Sequence, residues 1–552
     1  MLRSLIEKPL KKHFGHKITL ELPPNRELGD FALPCFEFAA KFKKSPIEIA
    51  KDLAEELEIK NVKTIANGPY LNFYVDKEVV ARLLIQSILD ADFFKIKKGK
   101  KKIVMDYSAP NVAKHMGIHN LRSTIIGQSC ANIHRYLGYD VVGINYIGDW
   151  GTNFGQLIYA ARKWSSVAKI KEKGVVELNR VYVKFNTEAD KKPELKDEAK
   201  ALFAALENGD KEAKKLWELF FEVSMKDYNR IYERLGVEFD LVKGEAAAVK
   251  GIPKLMDTLK EKKLSKVDDG AIIVDVGDDV PPCLVAKNDG ASTYATRDLV
   301  TMTERFEKYK PDQILYFTDV SQRLHFQQIF TVMNKIKKGS KDKLVNAWFG
   351  RLKFPDKKMS TRKGQIIVLE EVLDEAAKKV LKIIEEKNPK LKGKKQVAED
   401  VGIGAVIYND LIHDRTHDLI FTWDKVLDFE GDSGPYVQYA HARCCSILEK
   451  YGKKCSTKVE FALITEDNEI SLIKELARFE SVLLEAKNDL KPSFVARYVL
   501  SVAKMFNAFY RTSQIITTDD DTTKARILLT HMTKITLERG LELLSMKAPE
   551  EM

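Results

Sequence analysis

Four cations, Lys357, Lys358, Arg362 and Lys363, crowd around Met359, Ser360 and Thr361 in KKMSTRKG, just ahead of the helical pattern VLEEVLDEA. Positive charge of that density suits a polyphosphate and could neutralise charge building up on a departing pyrophosphate. Taken alone, it would also pass for a solvated surface run. A second stretch, Asp106 to Gln128, reads DYSAPNVAKHMGIHNLRSTIIGQ and sets Ser, Pro, Asn, Lys and two His between apolar KKIVM and helical LRSTIIGQ. In an open α/β sheet, ligands gather at the carboxyl ends of strands. KKIVM reads as such a strand and Ser108-Ala109-Pro110-Asn111 as the loop at its end. The helix that follows offers free N–H groups and the positive end of its dipole to an anion. No GxxxxGK(S/T) motif occurs and no GxGxxG follows a strand, so phosphate is expected to be held by helix ends and side chains instead of a glycine cradle. The competing reading is an ordinary strand-to-helix loop with two solvent-facing His.

These stretches need elements to hold them. Strand-like and helix-like patterns alternate: KKIVMDY, STIIGQSCANIHRYLGY, DVVGINYIG, then DQILYFT, a helix from about Gln322, and LVNAWFGRL. Such alternation predicts parallel βαβ units in a doubly wound sheet, so the fold class is α/β. Residues 1–98 read as a smaller α+β domain, with SPIEIAKDLAEELE helical and PYLNFYV a strand. Residues 99–385 form the α/β domain, and residues 386–552, almost wholly helical in pattern, form an all-α bundle. The lysine-rich stretches FFKIKKGKKK (93–102) and EKNPKLKGKK (386–395) read first as solvated linkers and second as phosphate-contacting elements. Tyr294 and Asp298, i and i+4 in YATRD, share a helix face; a salt bridge from Asp298 to Arg297 or Arg305 is the plain alternative.

With 552 residues, 44% of them hydrophobic and 31% charged, the chain has material for several cores. No window approaches the ~18 apolar residues of a membrane helix. The basic opening MLRSLIEKPLKKHFGHK lacks a continuous apolar core and a cleavage site, so it reads as a first amphipathic helix and not as a targeting peptide. Six Cys without C-x-x-C spacing argue against a zinc site or disulfide framework and point to a reducing cytoplasm. A net charge of +11 favours a polyanionic partner.

In order along the chain, these motifs resemble the signature sequences of class I aminoacyl-tRNA synthetases, and among them the arginyl-tRNA synthetases, over nearly the whole length. SAPNVAK with LRSTIIG is similar to the first signature region and NYIGDWGTNFG (145–155) to the family's GDWG loop. STYATRDLV (292–300) and SQRLHFQQ (321–328) resemble its substrate-binding segments, and MSTRKG its second signature. FEGDSGPYVQYAHAR (429–443) resembles the opening of its anticodon domain, and LLSMKAPEEM its end. The resemblance implies a Rossmann-like catalytic domain, ATP and Mg2+, tRNA(Arg) and L-arginine as partners, no membrane association, and a cytoplasmic monomer. It implies attack of the arginine carboxylate on the α-phosphate of ATP, then transfer of the arginyl group to the tRNA's terminal ribose. Positioning and electrostatics would replace a covalent enzyme nucleophile.

The resemblance also assigns roles. Tyr294 and Asp298 would bind the substrate's charged end, since a guanidinium calls for fixed carboxylates. Asp106, Ser108, Asn111 and Gln322 would complete that site. Lys114, His115, Gly117 and His119, with Lys358, Met359, Ser360, Arg362 and Lys363, would act on ATP; no metal-ligating set is expected in the protein. Asp149 of GDWG stays open between a cap and a substrate contact. One departure stands out. Where the family carries His-x-Gly-His before LRST, this chain has Gly117-Ile118-His119-Asn120, so His and Gly are present but displaced. Either a local shift presents His115, Gly117 and His119, or ATP is held differently. Asn67, Tyr70 and Asn72 resemble the family's tRNA D-loop contacts. Tyr436, Tyr439 and Arg443, at i, i+3 and i+7, resemble anticodon-loop contacts, with Tyr510 and Met552 as weaker candidates, though aromatic residues at that spacing also serve cores. Residues 156–240 read as a helical, charged insertion without an assigned role. Two rivals stay open: a catalytically silent tRNA-binding relative, and a synthetase for another amino acid.

Overall fold

The structure, a computed structural model, describes residues 2–16, 18–23, 28–90, 99, 101–354 and 367–552. It divides into two compact units, one of Met1–Lys95, Arg443–Ser481 and Ser501–Leu537, the other of Ile96–Ala442, Val482–Leu500 and Glu538–Met552.

The second unit is built on an all-parallel sheet of five strands: β1 (Lys102–Asp106), β2 (Asp140–Ile147), β3 (Leu241–Gly244), β4 (Gln313–Tyr316) and β5 (Leu344–Asn346), in the order β5-β4-β1-β2-β3. From β1 the chain steps outward through β2 and β3, then returns to build β4 and β5 on the other side. The order therefore reverses between β1 and β4, the place where an open sheet leaves a crevice. Pairing of Asp106 with Tyr316 sets both at its floor. Ile103, Val104 and Met105 of β1 are buried, as a strand covered on both faces requires. This is the doubly wound α/β sheet expected from the alternating pattern.

Three helices frame the crevice: α1 (Leu121–Tyr136), α2 (Tyr294–Tyr309) and α3 (Arg323–Ile336). Helix α1 lies so close to β1 that a Cβ on Gly127 would fall 2.2 Å from that of Tyr107, so the approach needs glycine. Helix α2 starts at a capping box between Thr293 and Thr296. It buries Ala295, Leu299, Met302 and Phe306, spaced by three and four, against Val104 and Ile314 of the sheet.

Between β2 and β3, helices from Thr152–Trp164 to Lys211–Arg234 enclose their own apolar cores around Phe154, Phe220 and Phe185. A three-stranded antiparallel sheet (Ser265–Asp268, Ala271–Val274, Cys283–Ala286) precedes α2, where the sequence pattern suggested no sheet. The lysine-rich stretch 386–395, read as a linker, instead turns a helical hairpin between Leu369–Lys387 and Lys394–Leu411. Its helices pack so tightly that a Cβ on Gly402 would lie 2.7 Å from the Ala377 nitrogen. The other lysine-rich stretch lies almost wholly outside the described residues.

In the first unit, an antiparallel sheet places Tyr70–Val75 between Phe31–Pro34 and Val62–Asn67. Helix Pro46–Glu56 packs beside it and is capped by Ser45 in a capping box with Glu48. Lys77 pairs with Asp467 at 2.8 Å and Lys474 pairs with Asp30, so this sheet and C-terminal helical residues share one compact unit. Among the described residues no helix is long and apolar enough to cross a membrane.

Candidate active site

A cavity of about 610 Å³ opens at the carboxyl ends of β1 and β4. All six residues expected to surround the substrate line it: Asp106, Ser108 and Asn111 from the β1 end and its loop, Tyr294 and Asp298 from the first two turns of α2, and Gln322 from the start of α3. Of the four expected nucleotide-contacting residues before α1, only His119 reaches the lining. Lys358, Met359, Ser360, Arg362 and Lys363 lie outside the described residues.

The loop after β1 answers why so many small polar residues gather there. Ser108, Ala109 and Ala113 have φ of 75°, 51° and 64°, a left-handed backbone that costs L residues on the order of 1–3 kcal/mol each. Hydrogen bonds hold it in place. The Ser108 amide donates to Ser123 Oγ at 2.9 Å and the Ala109 amide to Asn145 Oδ1 at 3.1 Å. Val112 donates to the Gly148 carbonyl at 3.0 Å and Ala113 to Ser224 Oγ at 2.9 Å. A Cβ on Gly148 would strike Asn111 Oδ1 at 2.2 Å, so the residue before Asp149 must be glycine for Asn111 to keep its place.

Charge in the cavity is distributed unequally. Asp106 accepts from Arg305 Nη2 at 2.5 Å, and that buried guanidinium is flanked by the rings of Tyr146 and Tyr316 at 5.4 and 5.3 Å. Glu245 pairs with Arg297 at 2.9 Å, and Asp319 lies 3.8 Å from Arg351. Asp298 has neither arginine: its Oδ2 meets His325 Nε2 at 2.6 Å. The sequence alternatives for Asp298, a bridge to Arg297 or Arg305, are thus taken by other carboxylates. Arginine stays charged at any accessible pH, whereas imidazole does not. Among the described residues, Asp298 is the lining carboxylate without a permanent counterion, and its helix turn also carries Tyr294. Burial pushes the Glu245 carboxyl up to about 7, with Arg297 opposing and Asp298 adding to the shift.

Glu245 and His325 were not singled out from the sequence, and Arg305 entered only as an alternative partner for Asp298. Glu245 follows β3 directly, so its place at a strand's carboxyl end was a usable signal. Arg305 and His325 join the cavity lining through partners that no local pattern reveals, Asp106 and Asp298. Asp149 resolves as a cap: it accepts from the Ala246 amide at 2.8 Å at the start of the short helix Glu245–Gly251, and burial raises its carboxyl to about 6.

The displaced signature packs on itself. The Gly117 Cα rests on the His119 ring, where a Cβ would fall 2.5 Å from Cε1. The cavity walls strip water from this imidazole and Lys114 lies near, which together lower its pKa. Ile118 donates to the Ile367 carbonyl and Leu369 to the Met116 carbonyl, both at 2.9 Å. Ile367, the first described residue after KKMSTRKG, is thereby pinned beside His119. Lys114 and His115 stand outside the lining, with the Lys114 ammonium 5.5 Å from the Tyr182 ring centroid.

The expected RNA contacts divide. Asn67 and Tyr70 are exposed, and Tyr70 meets the exposed Phe36 edge-on at 5.7 Å. Asn72 is a correction: at 3% exposure it is buried within the small sheet, between Ala32 and Ile65. On helix Gly434–Tyr451, Tyr439 is exposed and Tyr436 half-buried. Arg443 bonds Asn507 and lies 4.9 Å from the ring of Tyr510. Met552 packs against an apolar cluster that includes Val380 and Ile384.

Comparison with known proteins places this geometry. Residues 82–423 match the family described as tRNA synthetases class I (R), catalytic domain. Residues 1–75 match the arginyl tRNA synthetase N terminal domain, and 437–552 the DALR anticodon binding domain. The crevice at the reversal of a parallel sheet, together with the first match, defines the catalytic domain of a class I aminoacyl-tRNA synthetase. The arginine–tRNA ligase of Alkaliphilus metalliredigens is 40% identical over 539 residues, 97% of this chain and 95% of that one. Arginine–tRNA ligase 2 of Bacillus anthracis is 43% identical over 538 residues, with the same coverage. The chain belongs to the arginyl-tRNA synthetase family. The Thermus thermophilus arginyl-tRNA synthetase shares its fold, with a TM-score of 0.81 at 24% identity over all of both chains.

Proposed function

We infer that the chain ligates L-arginine to tRNA(Arg) through an arginyl-adenylate, consuming ATP and releasing AMP and pyrophosphate. The observation that carries the substrate reading is the inequality of charge: three lining carboxylates face arginines, while Asp298 faces an imidazole and stands one turn from Tyr294. A planar cation seated there gains a charge-assisted pair and an aromatic neighbour. Ser108, Asn111 and Gln322 supply uncharged donors and acceptors for the substrate's amino and carboxylate groups, with Asp106 fixed beneath them by Arg305. The substrate carboxylate then attacks the α-phosphorus as the bond to pyrophosphate breaks.

The nucleotide fits beside it, where the first turn of α1, His119 and the pinned exit of KKMSTRKG converge. A His119 imidazole of lowered pKa can donate a hydrogen bond without being fully charged. Lys114, His115 and Gly117 shape this loop from behind, and Lys358, Ser360, Arg362 and Lys363 of the second signature are assigned to the pyrophosphate, with Met359 among them. Among the described residues no cluster of three or more His, Cys, Asp or Glu forms a metal cage. Mg2+ fits as an ion carried by the phosphates themselves, where it would screen their charge. Asn67 and Tyr70, together with Tyr436, Tyr439 and Arg443, are read as tRNA contacts. We place the protein in the cytoplasm on its cysteine usage, six thiols without C-x-x-C spacing, and take it as a monomer.

Charging of total tRNA with each of the twenty amino acids in turn tests this. Arginine alone is expected to be esterified; preference for another amino acid, or no charging, would overturn it.

A further inference from the structure

We propose that the last helix of the insertion, Lys211–Arg234, is the positioning element of the substrate loop, and that Tyr228 and Tyr232 are positioning residues for adenylation. The inference rests on the reading of the cavity as the arginine and ATP site, and it gives the insertion a task. Ser224, Tyr228 and Tyr232 recur every fourth residue, so they line one face of that helix. They are 0%, 0% and 3% exposed. An apolar stripe would suffice to pack a helix. Here each position carries a hydroxyl instead, and each hydroxyl is aimed at residues 108–114.

Ser224 Oγ accepts from the amide of Ala113, one of the left-handed residues, at 2.9 Å. Tyr228 Oη lies 2.6 Å from the Asn111 carbonyl and 2.7 Å from that of Lys114. Tyr232 Oη accepts from Asn145 Nδ2 at 3.0 Å, which leaves its proton for Ser108 Oγ at 2.8 Å. Asn145 in turn accepts from the amide of Ala109, so strand β2, the helix and the loop close one circuit. The three hydroxyls thus fall on both ends and the middle of the strained segment. Strained backbone persists only where its surroundings over-determine it. Without these hydroxyls the loop is free to relax toward ordinary backbone, carrying Ser108 and Asn111 away from the reacting groups, and small misplacements of that kind are costly in rate.

The test compares the full-length chain with Tyr228→Phe and Tyr232→Phe, each keeping the ring and losing the hydroxyl. Tyr159→Phe serves as control, since it lies in the same insertion among the rings of Trp164 and Phe185. Arginine-dependent ATP–pyrophosphate exchange is measured with tRNA(Arg) present, normalised by active-site titration below each variant's melting transition. The kcat of each loop-facing variant is expected to fall on the order of tenfold or more, with a smaller change in KM, and that of the control to stay at wild type. Normalised kcat values equal to wild type, or losses explained wholly by fewer active sites, would overturn the proposal. A wild-type chain that activates no arginine would instead overturn the reading of the cavity, and is scored before any variant.

Discussion

Asp298 Oδ2 and His325 Nε2 stand 2.6 Å apart across the mouth of α2 and α3. The pair sets Asp298 apart from Asp106, Glu245 and Asp319, each of which faces an arginine. An imidazole orients a carboxylate through one hydrogen bond and, unlike a guanidinium, brings no permanent charge to neutralise it. The substrate's cation is therefore expected to meet Asp298 and to find the neighbouring carboxylates already committed.

Asp298→Asn keeps the shape and removes the charge. The KM for arginine should rise on the order of 10–100-fold, as loss of a charge-assisted hydrogen bond implies, with KM for ATP little changed. Steady-state kinetics decide this. Equal effects on both substrates would place Asp298 away from the guanidinium.

The Glu245 carboxyl, raised by burial to about 7, makes arginine binding depend on pH. A bound cation favours the ionised carboxylate, so binding is opposed by the proton that Glu245 holds at lower pH. Arginine affinity should weaken as pH falls below 7, by up to about tenfold per unit, and Glu245→Gln should flatten that dependence. The same shift has the opposite consequence for stability of the free protein. The folded state holds this proton more tightly, so its contribution is fully present below the ordinary value of 4.5 and is lost as pH rises through about 7. Calorimetric titration of arginine across this range reads the first effect and thermal unfolding the second.

His119 lines the cavity and His115 does not. Replacing His119 with Ala should lower kcat for ATP–pyrophosphate exchange on the order of 10²-fold or more, while His115→Ala should cost far less. The reverse ranking would assign the nucleotide to the other side of the loop.

Arg122 is 1% exposed, with Nε 3.0 Å from Asp410 Oδ2 and Nη1 donating to the carbonyls of Gly350 and His417 at 2.6 and 2.9 Å. Arg122→Met leaves Asp410 buried without its counterion and should cost about 3–5 kcal/mol in chemical denaturation. Adding Asp410→Leu should recover part of that loss. A double variant as unstable as the single would mean that the carbonyl contacts dominate.

Much of this was legible in the sequence, for identifiable reasons. The strands KKIVM and DQILY announced themselves as short apolar runs, and their ends carried the loops that line the cavity. Tyr294 and Asp298 could be paired because one helix joins them at i, i+4. What stayed hidden depends on contacts between distant segments. Arg305 lies 199 residues from Asp106, and no local pattern couples them. Ser224, Tyr228 and Tyr232 look like any amphipathic stripe until the loop they hold is in view. Asn72 failed as a surface candidate because alternation along a strand fixes that two faces exist, and not which of them the rest of the unit covers.

The central claim is recognition of a planar cation by fixed negative charge, and citrulline tests it most directly, being close to arginine in shape and neutral at its end. In ATP–pyrophosphate exchange by the full-length chain with tRNA(Arg), the kcat/KM for arginine should exceed that for citrulline by about 10⁴ or more, since citrulline covers Asp298 without supplying a cation. Comparable values for the two would contradict the account.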